Sequence, residues 1–114
     1  MGKNKLEHFA ELKSFYNVIE APGSIWFTQN HAIKGKWATS HFKSDNPIVL
    51  ELGCGKGEYT IGMAQKFPLK NFIGIDIKGA RMWRGAKTAV ESTINNAAFL
   101  RTRIDFITSF FDCD

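Results

Sequence analysis

The 114-residue sequence lacks the features that define several classes of protein. Its two cysteines, Cys54 and Cys113, have no histidine at metal-ligand spacing, so we expect reduced thiols, no disulfide and no zinc site. No apolar run reaches the roughly 18 residues of a membrane-spanning helix. The polar start, MGKNK, does not resemble a signal peptide. These absences argue against a secreted disulfide scaffold and a membrane protein, and they predict a cytoplasmic location.

The residues that are present predict one folded domain. Apolar residues make up 44% of the chain and charged residues 23%, and ten phenylalanines and three tryptophans favour a packed core over disorder. The formal net charge of +4 and the pI near 9.2 weakly favour an anionic partner.

The pattern of apolar residues changes near Asn46 and Pro47. Residues 1–46 are predicted to form an N-terminal helix, over 5–19, and a basic and aromatic lead-in. Residues 47–114 alternate between strand and helix, which predicts an α/β fold with βαβ units and a parallel sheet. The predicted strands are 48–52, 72–75 and 98–102, and the predicted helices are 58–67 and 80–94.

A glycine-rich loop follows the first of these strands, in the stretch IVLELGCGKGEY. Gly53, Gly55 and Gly57 leave the backbone bare at the carboxyl end of a strand, which is where parallel sheets bind ligands. Asp76 ends the second strand 19 residues after Gly57, the distance at which a βαβ unit places a carboxylate on a ribose diol. The pattern therefore predicts a nucleoside-containing cofactor. Cys54, between two of the glycines, is interpreted as a packing residue.

Acidic residues beside the loop discriminate between cofactors. Dinucleotide sites usually read G-x-G-x-x-G before a helix that faces a pyrophosphate. Here the spacing is G-x-G-x-G, with Glu51 before it and Glu58 directly after it. These acids suit the sulfonium and ammonium groups of S-adenosylmethionine better than a diphosphate. An NAD-binding oxidoreductase fragment is the less favoured alternative, and a P-loop is excluded because no serine or threonine follows Lys56.

The segment LELGCGKGEYTIGMAQKFPLKNFIGIDIKGARMWRGAK resembles the bacterial tRNA (guanine-N7-)-methyltransferase family, and the lead-in segments KNKLEHFAE and HAIKGKW are similar to it too. The resemblance implies a Rossmann-like class I methyltransferase fold. It also implies methyl transfer from S-adenosylmethionine to N7 of a guanine in the variable loop of tRNA. The loop alone would fit any class I methyltransferase, whereas the GARMWRGAK helix is specific to this family.

The resemblance also assigns cofactor contacts, with one departure from the family pattern. Family members have Asp or Asn after the third strand, near the adenine, where this sequence has Arg103 and then Ile104. A cation cannot accept a hydrogen bond from the adenine amino group. Either the backbone of these two residues or the Asp105 carboxylate is therefore expected to make the contact. The full expected cofactor-binding set is Glu51, Gly53, Cys54, Gly55, Gly57, Asp76, Ile77, Arg103 and Ile104.

Two basic segments are candidates for RNA binding. Lys78, Arg81, Arg84 and Lys87 recur every third residue and form a slanted stripe on the predicted helix, with Trp83 beside it for base stacking. Lys34 and Lys36 flank a glycine in HAIKGKW. Solvated surface is the alternative for both segments, and a non-catalytic RNA-binding module is the corresponding alternative function. Gly85, in mid-helix, predicts a close approach by another part of the chain.

One part of the family pattern is missing. The resemblance implies a guanine-binding segment, bearing proline and aspartate, after a fourth strand, and the sequence contains no match to it. No catalytic residue is identified, and the predicted sheet has fewer strands than the fold requires. We therefore expect an N-terminal fragment, interrupted after the third strand, with little or no activity alone. Strand 48–52 is left as a sheet edge, which a second copy of the chain would be able to complete.

Overall fold

The structure, a computed structural model, describes residues 2–112, and their side chains from residue 5 onward; Cys113 lies outside this range. Four parallel strands form one sheet in the order β1-β4-β3-β2. The strands are β1 (Val18–Glu20), β2 (Ile48–Leu52), β3 (Asn71–Asp76) and β4 (Ala97–Arg101), and the α-helices are α1 (Gly2–Leu12), α2 (Glu58–Lys66) and α3 (Gly79–Glu91).

The alternating part of the chain confirms the predicted α/β fold. β2 pairs with β3 and β3 with β4, and α2 and α3 form the connections between them. The strands differ from their predicted bounds by at most one residue at each end. Helix α3 ends at Glu91, earlier than predicted, and Thr93 then takes a left-handed φ of 54° that a helix cannot contain.

The N-terminal helix is shorter than predicted, and a strand follows it. The predicted helix over 5–19 is wrong beyond Leu12, where α1 ends. A tight turn closes it, in which both the backbone N–H and the hydroxyl of Ser14 donate to the Glu11 carbonyl, at 2.9 and 2.6 Å. The β-branched Val18 and Ile19 then extend and pair with β4. The lead-in therefore supplies a fourth strand to the sheet.

The two faces of the sheet have different covers. Leu12 of α1, Ile61 of α2 and Met82 of α3 pack on one face, around Phe99. On the other face the lead-in packs with a 3₁₀-helix, Ile104–Ser109. Trp37 belongs to this second core: it is 3% exposed, and its Nε1 donates to the Phe110 carbonyl at 2.8 Å. A solvated loop is therefore the wrong interpretation for the end of HAIKGKW.

Glycines surround the buried ring of Phe99. A Cβ atom at Gly57, Gly74 or Gly85 would lie only 2.7–2.9 Å from a ring carbon of Phe99. At Gly85 it would also lie 2.9 Å from the Lys56 carbonyl oxygen. The close approach predicted at Gly85 is confirmed, since the glycine loop packs directly on α3 there. This contact fixes the loop relative to the ends of the strands.

Candidate functional site

The glycine loop connects β2 to α2 and folds over the end of β3. Gly53, Gly55 and Gly57 have φ angles of 75°, 55° and 77°, in the left-handed region that favours glycine. The N–H groups of Gly53 and Cys54 both donate to the Ile75 carbonyl, at 2.7 and 3.0 Å. The loop is thus held to the neighbouring strand by its own backbone.

Asp76 holds the loop from the carboxyl end of β3. Its Oδ2 accepts a hydrogen bond from the Gly55 N–H at 2.9 Å, and its Oδ1 accepts one from the Lys78 N–H at 3.0 Å. Burial raises the pKa of Asp76, but backbone N–H donors, including Lys78, Gly55 and Ile77, and the Arg81 guanidinium outweigh that effect and lower it. Asp76 is therefore an ionised acceptor at neutral pH.

A cavity of about 260 Å³ opens beside Asp76. It is lined by Asp76, Ile77, Thr102, Arg103, Ile104 and Asp105, because the carboxyl ends of the neighbouring β3 and β4 meet here. The Arg103 guanidinium donates from Nε and an Nη to the two oxygens of Asp105, each at 3.1 Å. The Asp105 carboxylate, one of the two alternative adenine contacts, is thus engaged by the Arg103 guanidinium, whereas the backbone alternative at Arg103 and Ile104 does not take part in this pair.

The donors and acceptors of this site fit a nucleoside. An ionised carboxylate offers about four acceptor positions; the N–H groups of Gly55 and Lys78 bond to Asp76 at 2.9 and 3.0 Å, and the Ile77 N–H lies near enough to contribute. The remaining positions can accept from the two hydroxyls of a ribose. The bare backbone of the glycine loop lies on one side of Asp76, and the cavity lies on the other side. A ligand that contacted the loop and also filled the cavity would have to be elongated.

Glu51 and Cys54 have mainly structural contacts. Glu51 is half-buried, and its Oε1 accepts a hydrogen bond from the buried hydroxyl of Thr60, which ties the end of β2 to α2. Burial, with the negative charges of Asp76 and Glu51, raises the pKa of the Cys54 thiol to about 12. This thiol is therefore protonated and inert. Sequence reasoning missed Thr60. The available signal was a hydroxyl in the first turn of the predicted helix 58–67, directly after the glycine loop.

The cations of α3 have different neighbours. A guanidinium nitrogen of Arg81 lies 3.4 Å from the position of a Cβ atom on Gly55, so this side chain reaches the glycine loop. Arg84 lines a groove between α2 and α3. Lys78 is exposed just before α3 begins. The side chains of Arg81 and Arg84 therefore meet different parts of the molecule.

Trp83 and Lys87 are engaged by α1. The rings of His8 and Trp83 stack with centroids 3.6 Å apart, and Trp83 Nε1 donates to Glu11 at 2.7 Å. Lys87 forms an ion pair with the same carboxylate at 3.4 Å. Sequence reasoning missed His8 and Glu11. Their i, i+3 spacing was the available signal, but nothing local indicates which helix they face.

The second basic segment lies on the other face of the sheet from α3. Lys36 is exposed and Lys34 is half-exposed, with its Nζ 3.5 Å from Asn30 Oδ1. The segment is anchored by Trp37, which belongs to the core opposite α3. The structure therefore does not place the two basic segments on one face.

Membrane-spanning and metal-binding features are both absent from residues 2–112. No helix within residues 2–112 is long and apolar enough to cross a membrane. The same residues contain no cluster of three or more His, Cys, Asp or Glu side chains that could hold a metal ion.

A parallel sheet with a glycine loop after one strand and an acid at the end of the next defines a Rossmann-like, nucleoside-binding class of protein. Residues 45–113 match the model of a protein family described as "Putative methyltransferase". The chain belongs to this methyltransferase family, and its fold is the Rossmann-like class I methyltransferase fold.

Several curated relatives share one name. A tRNA (guanine-N(7)-)-methyltransferase of Bacteroides fragilis is 56% identical over 97% of this chain and 44% of its own length. One of Christiangramia forsetii is 59% identical over 96% of this chain and 49% of its own. The chain thus spans about half the length of the curated relatives it matches. The solved structure of PKMT2 from Rickettsia typhi in complex with AdoHcy has a TM-score of 0.44 at 29% identity, over 51% of this chain and 11% of that one.

Proposed function

We propose that this chain carries the cofactor-binding half of an S-adenosylmethionine-dependent tRNA (guanine-N7-)-methyltransferase. The observation that carries the proposal is the identity of 56–59% to relatives of that name over 96–97% of the chain. The site supports it, because Asp76 and the glycine loop are joined by a hydrogen bond at 2.9 Å. The complete reaction is proposed for the longer protein, and we expect little or no methyl transfer by residues 1–114 alone.

The residues around Asp76 are proposed to hold the cofactor. Asp76 would accept from the ribose hydroxyls, with Ile77 beside it. Arg103 and Ile104 would offer backbone groups, and Asp105 a carboxylate, to the adenine in the cavity that they line. The bare backbone of the glycine loop, Gly53 to Gly57, would lie under the methionyl part. Glu51 would act from the end of β2, where Thr60 fixes its orientation.

The acceptor chemistry places few demands on this half of the protein. When bound, the cofactor supplies a methyl group on a sulfonium, which is already activated for transfer. Guanine N7 has an in-plane lone pair and no proton, so it needs no strong general base. The chain's own contribution is then alignment and exclusion of water.

A tRNA partner is proposed from the basic side chains that remain exposed. The side chains of Lys36, Lys78, Arg81 and Arg84 are exposed and that of Lys34 is half-exposed, so they are able to neutralise phosphates. Lys87 is paired with Glu11, so it would contribute to tRNA binding only if its ammonium group contacted a phosphate and Glu11 together. Such contacts are independent of sequence and depend on salt. A tRNA substrate would place the protein in the cytoplasm.

The free edge of β2 is proposed as the place where a further strand adds. β2 pairs only with β3 among the described strands, and Ile48, Val49 and Leu52 are 36–52% exposed. An apolar cavity of about 270 Å³ lies beside this edge, lined by Trp37, Ile48, Leu50 and Phe111 among others. In the longer protein the remaining half would cover it. In the isolated chain a second copy would be the available cover.

Calorimetric titration with S-adenosylmethionine tests the proposed function. We expect the wild-type chain to bind, and Asp76→Ala to bind at least about tenfold more weakly because it loses the ribose acceptor. Asp45→Ala, which removes an exposed acid in the turn before β2, is the matched control and should bind normally. Binding of NAD in preference to S-adenosylmethionine, or equal affinity of the two variants, would contradict the proposal.

A further inference from the structure

Arg81 stands apart from the other cations of α3. It lies in the first turn of the helix, and its guanidinium is in contact distance of the loop glycine Gly55. Lys87 is paired with Glu11, whereas no ion pair or side-chain hydrogen bond of Arg81 is formed within residues 5–112. A planar, permanently charged and exposed donor group thus lies beside bare backbone, with its donors available.

Acidic residues flank the glycine loop that Arg81 approaches. Asp76 is close enough for the guanidinium to contribute to its lowered pKa. Glu51 lies at the end of β2, and Glu58 begins α2 at the other end of the loop. Three carboxylates would attract the cationic groups of a ligand and repel an anionic one. An anionic group could bind among them only where a cation offsets the repulsion.

The proposed cofactor presents such an anionic group. S-adenosylmethionine has an adenosine end, which the cavity beyond Asp76 would receive, and an amino-acid end with one ammonium and one carboxylate. With the adenosine end in that cavity, the amino-acid end would extend toward the glycine loop on the other side of Asp76. The acids suit the ammonium. Arg81 is a cation that another element brings to the loop, with a guanidinium nitrogen 3.4 Å from where a Cβ atom on Gly55 would stand, whereas Lys56 belongs to the loop itself.

We propose that Arg81 binds the carboxylate at the amino-acid end of S-adenosylmethionine, rather than a phosphate of tRNA. This inference rests on the proposed function, and it removes Arg81 from the RNA-binding stripe suggested by the spacing of the sequence. A guanidinium matches a carboxylate bidentately, so Arg81 determines recognition of the amino-acid end of the cofactor.

A pair of ligands that differ only in that carboxylate tests the inference. The wild-type chain, Arg81→Gln and Arg81→Lys are titrated calorimetrically with S-adenosylmethionine and with decarboxylated S-adenosylmethionine. We expect Arg81→Gln to weaken binding of the first ligand about ten- to a hundredfold and to leave the second almost unchanged. Arg81→Lys, which keeps the charge but loses the fork, should give an intermediate loss. Lys66→Gln removes a positive charge from the exposed last turn of α2, and its affinity for both ligands should match that of wild type.

Each result separates the inference from the function on which it rests. Equal weakening of both ligands by Arg81→Gln would show that Arg81 acts only through Asp76 or the fold, and would overturn the inference. Unchanged affinity for both, with a loss of tRNA binding in a filter assay, would return Arg81 to the RNA-binding set. If wild type bound neither ligand, the proposed function would fail for this chain and the inference with it.

Discussion

Gly53 and Gly57 have similar backbone angles but different surroundings. Their φ values are 75° and 77°, so a side chain is strained at both. At Gly57 a Cβ would also lie 2.7 Å from a ring carbon of Phe99, whereas nothing lies within 4 Å at Gly53. We expect Gly53→Ala to lower the free energy of unfolding by about 1–2 kcal/mol. Gly57→Ala should lower it by about 2–4 kcal/mol, since overpacking is added.

Urea denaturation of the two variants measures this difference. Each variant carries the same change of residue in the same loop, so Gly53→Ala is the control for backbone strain alone. Equal losses of stability would show that the loop moves away from Phe99 at no cost. That outcome would contradict the contact between the loop and α3 on which the geometry of the site depends.

Asp76 gives the site a defined dependence on pH. Its pKa is lowered in the folded chain, so its contribution to stability is present above the unfolded pKa of about 4 and is lost as the pH falls through the folded value. Asp76→Asn replaces the two charged oxygens by one neutral carbonyl oxygen and an NH₂ group, so it cannot accept from the Gly55 and Lys78 N–H groups with one oxygen each. We expect wild type to be more stable than Asp76→Asn by a constant amount above about pH 5.

The same comparison at acid pH tests the sign of the effect. The stability difference between wild type and Asp76→Asn should shrink as the pH is lowered below about 4. Urea denaturation at a series of pH values gives the profile. A difference that persists unchanged at the lowest pH would mean that the charge of Asp76 does not stabilise the loop.

Some of these residues were predictable from the sequence and others were not. The spacing from Gly57 to Asp76 fixes one βαβ unit, and the structure joins the loop to Asp76 as that unit requires. Gly85 signalled a close approach because glycine is costly in mid-helix. The position of Arg81 over the loop was not predictable. Spacing along a helix gives the face on which a side chain lies, but not the element that the face meets.

At the scale of elements, β1 shows why the lead-in was misjudged. Leu6, Phe9, Phe15 and Ile19 have rough helical spacing, and this pattern extended the predicted helix through the strand. β1 has only three residues, which is too short for an alternating strand pattern to outweigh the helical spacing around it. They form a strand because β4 offers an open edge, with the Phe99 N–H donating to the Asn17 carbonyl at 2.8 Å. Such a tertiary cause is absent from local sequence.

The packing of α1 on α3 leads to a prediction about local opening. Trp83 stacks on His8 and donates to Glu11, so it joins the two helices. Trp83→Ala removes both contacts, and we expect amide hydrogen exchange in α1 to accelerate by at least about tenfold. Trp83→Phe keeps a ring for stacking but loses the N–H donor, so it should give a smaller acceleration. Exchange in β3 is the internal control. Its amides should exchange at the wild-type rate as long as they exchange by local opening and not by global unfolding. Unaltered exchange in α1 would show that other contacts hold this helix.

At the scale of the whole molecule, the sheet is covered on both faces but ends abruptly at β2. One neighbour of β2 is β3, and its other side is open within the described chain. Sequence reasoning anticipated this edge, because the resemblance requires a strand that the sequence lacks. It did not anticipate that residues 18–20 would extend the sheet at the opposite end, beside β4.

The open edge of β2 predicts self-association of the isolated chain. Backbone groups and half-exposed apolar side chains along β2 are available for pairing with a second copy. We expect sedimentation velocity to show association that increases with concentration, and Leu52→Lys to weaken it about tenfold or more because a charge at an edge opposes strand addition. Leu69→Lys places the same charge at a position that is 76% exposed and outside β2, so it should associate like wild type.

A chain extended to the length of the curated relatives should be largely monomeric at the same concentration, since its own residues would cover the edge. Equal association of all these proteins would show that the β2 edge is not the contact.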